Sequence, residues 1–441
     1  MNPSSLIGHV LDLLDKVDHS KQPADRTAAD FFRSKSYLGS HDRRYIADTV
    51  FGIIRHRRYV EALLEEFVDR HPQDAVLDSP PHRYLSVLAG FSVLAGCIGD
   101  PTAPVISIPD AVWKSKFPNV DLSSFLQWFN DHSSLDFLPP DNSTVCLGVR
   151  YSFQDWMIEE WKKSIGDELE PFLAACNTPA PTTLRVNLSK VSRDECRMRL
   201  AAEGIEARET QISASGLVVR KRFASQALPV FRDGWFEVQD EGSQLVSLVG
   251  APSPGSVVID ACAGAGGKTL HLADLMKNQG KLFAVDIEPK RLDELRRRAS
   301  RAGATIIHPM LQNEIIPDRF RNQADLVVID APCTGSGTIR RNPGYKWSIS
   351  AALPETYSRI QTDILEFNAP FVKEGGNLLY ATCSLFEREN QAVIYGFLSR
   401  HAEFMIEKDL PFQASKDGFL LFTPHKHQTD GFTIAKLKRI G

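Results

Sequence analysis

The stretch SVVIDACAGAGGKT, residues 256–269, decides the fold of the C-terminal half of the chain. It opens with a short apolar run rich in branched residues, which predicts a buried strand, and Leu270–Lys277 after it has a helical pattern. The glycines between them let the backbone approach a ligand closely, while the helix directs its N-terminal amides at that ligand. The stretch therefore predicts a strand, a ligand-binding loop and a helix in succession.

Four more apolar runs of this kind follow, with helical stretches between most of them: KLFAVDI (281–287), ATIIHPM (304–310), DLVVID (325–330) and NLLYATC (377–383). Strands that alternate with helices predict a parallel, doubly wound sheet. The last segment, residues 418–439, has two strand-like runs around a turn and predicts an antiparallel end to the sheet. We therefore expect an α/β domain over residues 239–441, with a mostly parallel sheet of seven strands.

Two smaller domains are predicted before it. Residues 1–138 have helical patterns, clearest in Asp42–Glu66, and predict an all-α domain. Residues 145–238 mix two helical stretches with short strand-like runs, which predicts a small α+β module. The arginines along residues 42–66 suit either a solvated helix face or an RNA-binding surface, and they are Arg43, Arg44, Arg55, Arg57 and Arg58.

The composition is that of a soluble globular protein, with 43% apolar residues, 24% charged residues and a net charge of −4. The N-terminus lacks the basic start and apolar block of a signal peptide, and the most apolar run, Leu85–Ile98, is short for a membrane span. The seven cysteines form no CxxC pair, so we expect no metal site. These features predict a cytoplasmic, monomeric protein with reduced thiols and no membrane contact.

The second strand of the predicted sheet ends at Asp286, where a carboxylate can accept hydrogen bonds from ribose hydroxyls. Together with the glycine-rich loop, this acid indicates an adenosine-containing cofactor. The loop is not a GxGxxG motif, because Lys268 stands at the last glycine position, and the chain has no GxxxxGK[ST] loop. This argues against a nucleotide triphosphatase; a dinucleotide oxidoreductase stays open, although nothing downstream indicates hydride chemistry.

Two cysteines follow neighbouring strand-like runs, in DAPCTGSG (330–337) and YATCSLFEREN (380–390). Cys333 and Cys383 are thus expected at the carboxyl edge of the sheet, on the same edge as the cofactor loop. A single free cysteine is commonly a small core residue. Two of them at strand ends beside a cofactor loop favour covalent chemistry instead.

Two thiols suit methyl transfer to carbon 5 of cytosine, which by itself is a poor nucleophile. A thiolate that adds to carbon 6 makes carbon 5 nucleophilic, and a second cysteine can help the later release. The attacking thiol needs an electropositive neighbour, for which Lys268 is a candidate. Asp330 either accepts a hydrogen bond from the exocyclic amino group of the base or caps the turn after its strand.

The order of five motifs carries a family resemblance: VQDEGSQL (238–245), DACAGAGGKT (260–269), DAPCTGSG, RRNPGYKW (340–347) and YATCSLFEREN. With them the chain resembles the RsmB-like Nop/Sun family of S-adenosylmethionine-dependent RNA cytosine-5 methyltransferases. The resemblance implies a Rossmann-like class I methyltransferase domain with S-adenosylmethionine as cofactor. It also implies that the N-terminal helices are a NusB-like RNA-binding domain, with ribosomal RNA favoured as partner and tRNA as the alternative.

The resemblance implies roles for individual residues. Cys383 would be the nucleophile and Cys333 would assist product release, while Asp330 and Lys268 would contact the target base. Besides Asp286 and Asp330, the cofactor contacts would come from the loop residues Cys262, Ala263, Gly264, Ala265, Gly266, Gly267 and Lys268.

The chain departs from the family at two places. Gly264-Ala265 replaces the usual Ala-Pro of the loop, and glycine accepts the backbone angles of that turn. Where the family places an acid near the adenine, the chain reads Met310-Leu311-Gln312-Asn313, so this contact would fall to Gln312 or Asn313.

Two other functions remain open at this point. The chain could be an RNA-binding ribosome-assembly factor whose methyl transfer is dispensable, although both cysteines and Asp330 are present. It could also methylate exocyclic amines, but such enzymes typically have a polar-Pro-Pro-aromatic loop where this chain has Ala331-Pro332-Cys333.

Overall fold

The computed structural model describes residues 1–20, 22–79, 82–97, 105–139, 143–220, 223–412 and 415–440. The chain forms two compact units. The first consists of Met1–Pro179 together with Ile339–Ala351, and the second of Ala180–Thr338 together with Ala352–Gly441. Each unit is described separately.

The first unit is helical, as predicted. Its helices are α1 (Pro3–His19), α2 (Ala24–Ser34), α3 (Ser40–Arg70), α4 (Arg83–Cys97), α5 (Asp110–Lys114), α6 (Leu122–Asp131), α7 (Thr144–Arg150), α8 (Asp155–Ile165), α9 (Leu169–Cys176) and the one-turn α16 (Tyr345–Ser348). The centre is α3, which buries one apolar side and has a break in helical geometry at His56 (φ −114°). The predicted helix over residues 42–66 is thus confirmed and lengthened at both ends.

Several of the arginines of α3 are bound into the first unit itself. Arg55 is buried. The Arg57 guanidinium pairs with Asp18 at 2.7 Å and with Glu61 at 3.0 Å. Arg58 donates to the Phe153 carbonyl at 2.6 Å. These three side chains therefore stabilise the packing of α3, rather than forming a purely solvated face.

Residues 339–351, which carry the motif RRNPGYKW, belong to the first unit although they lie far along the chain. Lys346 is fully buried there, with its Nζ 3.8 Å from the centre of the Phe153 ring. The Lys346 nitrogen lies within hydrogen-bonding distance of the carbonyls of Arg55 at 2.8 Å and Tyr151 at 3.2 Å, and of the side-chain oxygen of Asn177 at 2.5 Å. Burial lowers the pKa of Lys346 well below its usual value. Its neutral acceptors satisfy the hydrogen-bonding demand of a buried amine.

The second unit begins with a small antiparallel sheet of order β2-β3-β1-β4. Its elements are β1 (Thr182–Val186), α10 (Arg193–Ala202), β2 (Ala207–Glu209), β3 (Gly216–Val219), α11 (Pro229–Arg232) and β4 (Phe236–Val238). Residues 145–179 belong to the first unit and the small sheet belongs to the second, while the boundaries of the three predicted domains stay predictions. In the turn after β1, the amides of Leu188 and Ser189 donate to the Asp274 carboxylate at 3.0 and 2.8 Å, which connects the small sheet to the rest of the second unit.

The rest of the second unit is built on a large sheet. Its strands are β5 (Val257–Asp260), β6 (Lys281–Asp286), β7 (Ile307–Leu311), β8 (Ala324–Asp330), β9 (Val372–Thr382), β10 (Phe404–Ile406), β11 (Phe419–Phe422) and β12 (Phe432–Arg439). The order is β10-β12-β9-β8-β5-β6-β7, and β11 also pairs with β12. β5 to β9 are mutually parallel, whereas β12 runs antiparallel to β9.

The sheet confirms the predicted Rossmann-like class with an antiparallel end, and it has an eighth strand, β10, that the sequence pattern did not reveal. β12 is long enough to pair with both β10 and β11 along the same edge. β11 pairs with its first half and β10 with its last residues. A strand of three residues carries too little alternation to be recognised from a pattern.

Helices cover both faces of this sheet, namely α12 (Glu241–Gly250), α13 (Gly267–Leu275), α14 (Pro289–Ala302), α15 (Pro317–Phe320), α17 (Leu353–Asn368), α18 (Gln391–Leu398) and α19 (Pro424–His427). Consecutive residues of β8 pack on opposite faces of the sheet. Val327 belongs to the apolar cluster formed with α17 and α18, and Val328 belongs to the one formed with α12 and α13. This two-sided burial explains why the strands read as continuous apolar runs. No helix in the described part of the chain is long and apolar enough to cross a membrane.

Candidate active site

The predicted site residues collect at the carboxyl edge of the large sheet. The parallel strands β5, β6, β7, β8 and β9 end at Asp260, Asp286, Leu311, Asp330 and Thr382. Because β8 lies between β5 and β9, the loop after β8 is flanked by the glycine-rich loop and by the loop with Cys383. Within the described ranges, no group of His, Cys, Asp and Glu side chains could hold a metal ion.

The glycine-rich loop after β5 is held by backbone hydrogen bonds. The amide of Ala263 donates to the Val285 carbonyl at 2.9 Å. Gly264 and Gly266 have φ values of +54° and +89°, and a Cβ on Gly266 would come within 2.8 Å of Leu295. A glycine at Gly266 is therefore required by both the backbone angle and the space. A Cβ on Gly264 would meet nothing within 4 Å, so this part of the loop faces open space.

Asp286 connects this loop to the end of β6. Its Oδ2 accepts from the amide of Gly264 and its Oδ1 from the amide of Glu288, both at 2.8 Å. Each carboxylate oxygen has two acceptor positions, so hydrogen bonds from ribose hydroxyls can still be accepted. The loop and Asp286 could therefore hold an adenosine-containing cofactor.

A cavity of about 600 Å³ opens where β6 and β7 end, and it is lined by Ile287, Pro289, Leu311, Gln312, Asn313, Ile315 and Phe367. Most of these side chains are apolar, and two are amides. A flat purine ring needs such a lining, with apolar walls against its faces and amide groups for its polar edge. Gln312 and Asn313, the two predicted adenine contacts, both line this cavity.

Cys262 lies at the start of the glycine-rich loop. Burial raises the pKa of its thiol well above the usual value, and the nearby carboxylates of Asp260, Asp330 and Asp286 raise it further. Cys262 therefore keeps its proton near neutral pH and is not a third nucleophile.

Cys333 and Cys383 are neighbours, with 3.3 Å between their sulfur atoms. Both are half-buried and neither forms a disulfide. The contact with the Cys383 sulfur and burial together raise the pKa of Cys333 well above its usual value. Cys333 therefore favours its protonated thiol form.

Lys268 and Asp330 form an ion pair with Nζ and Oδ2 at 2.6 Å. Burial lowers the pKa of Lys268, but the charge of Asp330, together with that of Cys383, raises it by more, so the net shift is upward. Lys268 is thus a cation at neutral pH, and a negative charge on Cys383 stabilises it. No hydrogen bond to Asp330 Oδ1 occurs among the described residues, so this oxygen is available as an acceptor.

A buried carboxylate links the two cysteine loops, and the sequence reasoning missed it. Glu389 accepts from the Thr334 amide at 2.8 Å, from the Thr334 hydroxyl at 2.6 Å and from the Ser384 hydroxyl at 2.6 Å. Thr334 follows Cys333 and Ser384 follows Cys383. Burial raises the pKa of Glu389, while these hydrogen bonds oppose the shift. The local signal was a hydroxyl residue directly after each cysteine, with Glu389 five residues after Ser384, and this signal does not reveal that the acid is buried.

Glu389→Gln is expected to slow methyl transfer about 10- to 100-fold, because the amide keeps one acceptor atom where the carboxylate has two, and a hydrogen bond to a charged group contributes about 1.5–3 kcal/mol. The readout is the single-turnover rate at saturating RNA, with cofactor affinity measured separately. Glu387→Gln changes an acid in the same turn that makes none of these bonds and serves as the matched control. A wild-type rate for Glu389→Gln would contradict the linking role.

Comparison with known proteins places the chain in a family. A family model described as 16S rRNA methyltransferase RsmB/F matches residues 247–438, and a model of the ferredoxin-like domain of RsmF/B-like methyltransferases matches residues 153–226. A probable ribosomal RNA small subunit methyltransferase B from Synechocystis is 31% identical over 433 residues, which cover 93% of this chain and 94% of the relative.

A second relative, the probable ribosomal RNA small subunit methyltransferase B of Bacillus subtilis, is 35% identical over 305 residues, 67% of this chain and 68% of its own. The crystal structure of a methyltransferase homologue protein from Pyrococcus horikoshii is 27% identical, with a TM-score of 0.59 over 69% of this chain and 100% of that one. Since the identity to the first relative extends over nearly the whole length, the chain belongs to the RsmB/F family and is an S-adenosylmethionine-dependent RNA methyltransferase.

Proposed function

We propose that this enzyme methylates carbon 5 of a cytosine in small-subunit ribosomal RNA through a covalent bond between Cys383 and the base. The observation that carries the proposal is the pair of thiols 3.3 Å apart, beside the Lys268–Asp330 ion pair and on the edge that bears the glycine-rich loop. The RNA class is supported by the names of the relatives, which are small-subunit ribosomal RNA methyltransferases.

The bound cofactor supplies an electrophilic methyl group. The Cys383 thiolate, stabilised by the Lys268 ammonium, adds to carbon 6, and the electron pair of the carbon 5–carbon 6 double bond moves so that carbon 5 becomes nucleophilic. Once carbon 5 carries the methyl group, solvent water takes the proton of carbon 5. The electron pair of that C–H bond restores the double bond as the sulfur–carbon 6 bond breaks and returns its pair to Cys383.

Cys333 serves the last step in this proposal. Its thiol keeps its proton while Cys383 is ionised, and its sulfur is within 3.3 Å of the leaving sulfur. It can therefore exchange a proton with Cys383 as the base departs. Asp330 selects the base, because its free Oδ1 accepts a hydrogen bond from the amino group of cytosine, whereas uracil presents an acceptor at that position.

Different residues are proposed to contact different parts of the cofactor. The loop from Cys262 to Lys268 offers backbone groups at the start of α13, and Asp286 offers acceptors to ribose hydroxyls. Gln312, on the wall of the cavity, offers an amide to the purine edge. The cytoplasmic location and the monomeric state remain predictions from the sequence.

The test is to incubate the full-length protein with methyl-labelled cofactor and separately with small-subunit ribosomal RNA and tRNA, then digest each RNA to nucleosides. We expect label in 5-methylcytidine from the ribosomal RNA. Label only in tRNA would overturn the proposed substrate, and label on an exocyclic amine would overturn the proposed reaction. Tight RNA binding without any label would support the ribosome-assembly factor instead.

A further inference from the structure

We infer that Glu237 and Arg298 are positioning residues that hold the glycine-rich loop ready for the cofactor. They connect the loop to the small antiparallel sheet. The inference rests on the proposed role of residues 262–268 in cofactor binding, and it adds a reason for the small sheet to lie in the same unit as the reaction site.

The connection consists of two hydrogen bonds from one guanidinium. Arg298, on α14, donates through Nη1 to the carbonyl of Ala265 at 2.7 Å and through Nη2 to Glu237 Oε2 at 3.0 Å. Glu237 lies in β4, opposite Arg185 of β1. The side chains of Arg298 and Glu237 are 16% and 8% exposed, so water competes little for their charges.

The hydrogen bond from Arg298 reaches the part of the loop with the greatest backbone freedom. Ala265 lies between Gly264 and Gly266, both at positive φ. Glycines have the largest freedom of any residue. The amides of Ala263 and Gly264 are held by Val285 and Asp286, but the Ala265 carbonyl needs a further contact to keep one conformation. A charge-assisted hydrogen bond to this carbonyl supplies that contact. Without it, the cofactor would have to order the loop as it binds, and its affinity would fall.

A neighbouring arginine, Arg301, offers a control that distinguishes positioning of the loop from general stabilisation of the fold. Arg301, one turn further along α14, also pairs with Glu237, and its guanidinium lies 4.0 Å from the centre of the Phe231 ring. Among the described residues, the Arg301 side chain contacts Glu237 and Phe231 and makes no hydrogen bond to the loop. Arg301 is therefore a control that shares the helix and the acidic partner of Arg298 but lacks the contact with Ala265.

The experiment measures binding of S-adenosylhomocysteine to the full-length protein by calorimetry, without RNA, for Arg298→Ala, Arg301→Ala and Glu237→Gln. We expect Arg298→Ala to raise the Kd about 10-fold, Arg301→Ala to change it less than 2-fold, and Glu237→Gln to raise it about 3-fold by releasing Arg298. The double variant Arg298→Ala/Glu237→Gln should bind no more weakly than Arg298→Ala alone, because both changes break one connection.

Two results for these variants would contradict the inference. Equal losses of affinity in Arg298→Ala and Arg301→Ala, in step with their losses of thermal stability, would make the ion pairs merely structural. Wild-type affinity in Arg298→Ala would remove the positioning role directly. If Arg298→Ala is poorly folded, Arg298→Lys replaces it in the comparison. It retains a cation and should bind the cofactor product more tightly than Arg298→Ala does; no such recovery would contradict the inference. Failure of the wild-type protein to bind the cofactor product would instead contradict the proposed cofactor site.

Discussion

Cys383→Ala is expected to lose methyl transfer by on the order of 10⁴-fold and to form no covalent complex with RNA. Deleting a covalent nucleophile removes the only path on which its neighbours act, which is why such losses are large. Here the Lys268 ammonium would remain beside the site with no thiolate to stabilise. The measurements are the initial rate of label incorporation into small-subunit ribosomal RNA and denaturing electrophoresis for the protein–RNA adduct.

The matched control is Cys196→Ala, which removes a buried thiol from the core of the small sheet, away from the carboxyl edge of the large one. It should keep the wild-type rate, apart from a modest loss of stability. Full methylation by Cys383→Ala would show that the attacking group is another residue and would overturn the mechanism.

Cys333→Ala is expected to trap the enzyme on its RNA. This variant retains Cys383, Lys268 and Asp330, so addition to the base and methyl transfer proceed. The thiol that lies 3.3 Å from the leaving sulfur is missing, so the final elimination slows. We expect at most about one labelled methyl group per protein molecule, with most of the label in an adduct that survives denaturing electrophoresis.

Two comparisons make this second prediction specific. The double variant Cys333→Ala/Cys383→Ala should form no adduct, because trapping needs the first attack. Adding a small thiol such as cysteamine should partly release the RNA if the missing function is proton exchange. Normal multiple turnover by Cys333→Ala would assign product release to another group.

The arrangement of the strands could be predicted only in part. The ends of the parallel strands β5 to β9 were readable to within about one residue, because a branched apolar run stops at or beside a polar residue there. The distance between the two sulfurs was not readable, since it depends on β8 and β9 being neighbours and on the local path of both loops. Spacing along the chain contains no information on strand order.

Glu389 and Arg298 were missed for a common physical reason. An acid in the turn LFEREN and an arginine in the run RRR look like solvated side chains, as Arg296 and Arg297 in fact are, each paired with an acid three residues earlier. Arg298 instead meets Glu237, from which it is separated by 61 residues. Burial of a charge by distant partners is a property of the tertiary structure and leaves no local pattern in the sequence.

The separated segment 339–351 has a consequence for the order in which the protein is made. It begins 160 residues after Pro179 (339 − 179), where the rest of the first unit ends. At about 5–20 residues per second, translation takes roughly 10–30 s to cover that distance. During this interval the acceptors that will surround the Lys346 nitrogen have no donor from this segment. Most of the first unit is thus synthesised before the large sheet. It receives Ile339–Ala351 only after the four strands β5 to β8 have been made.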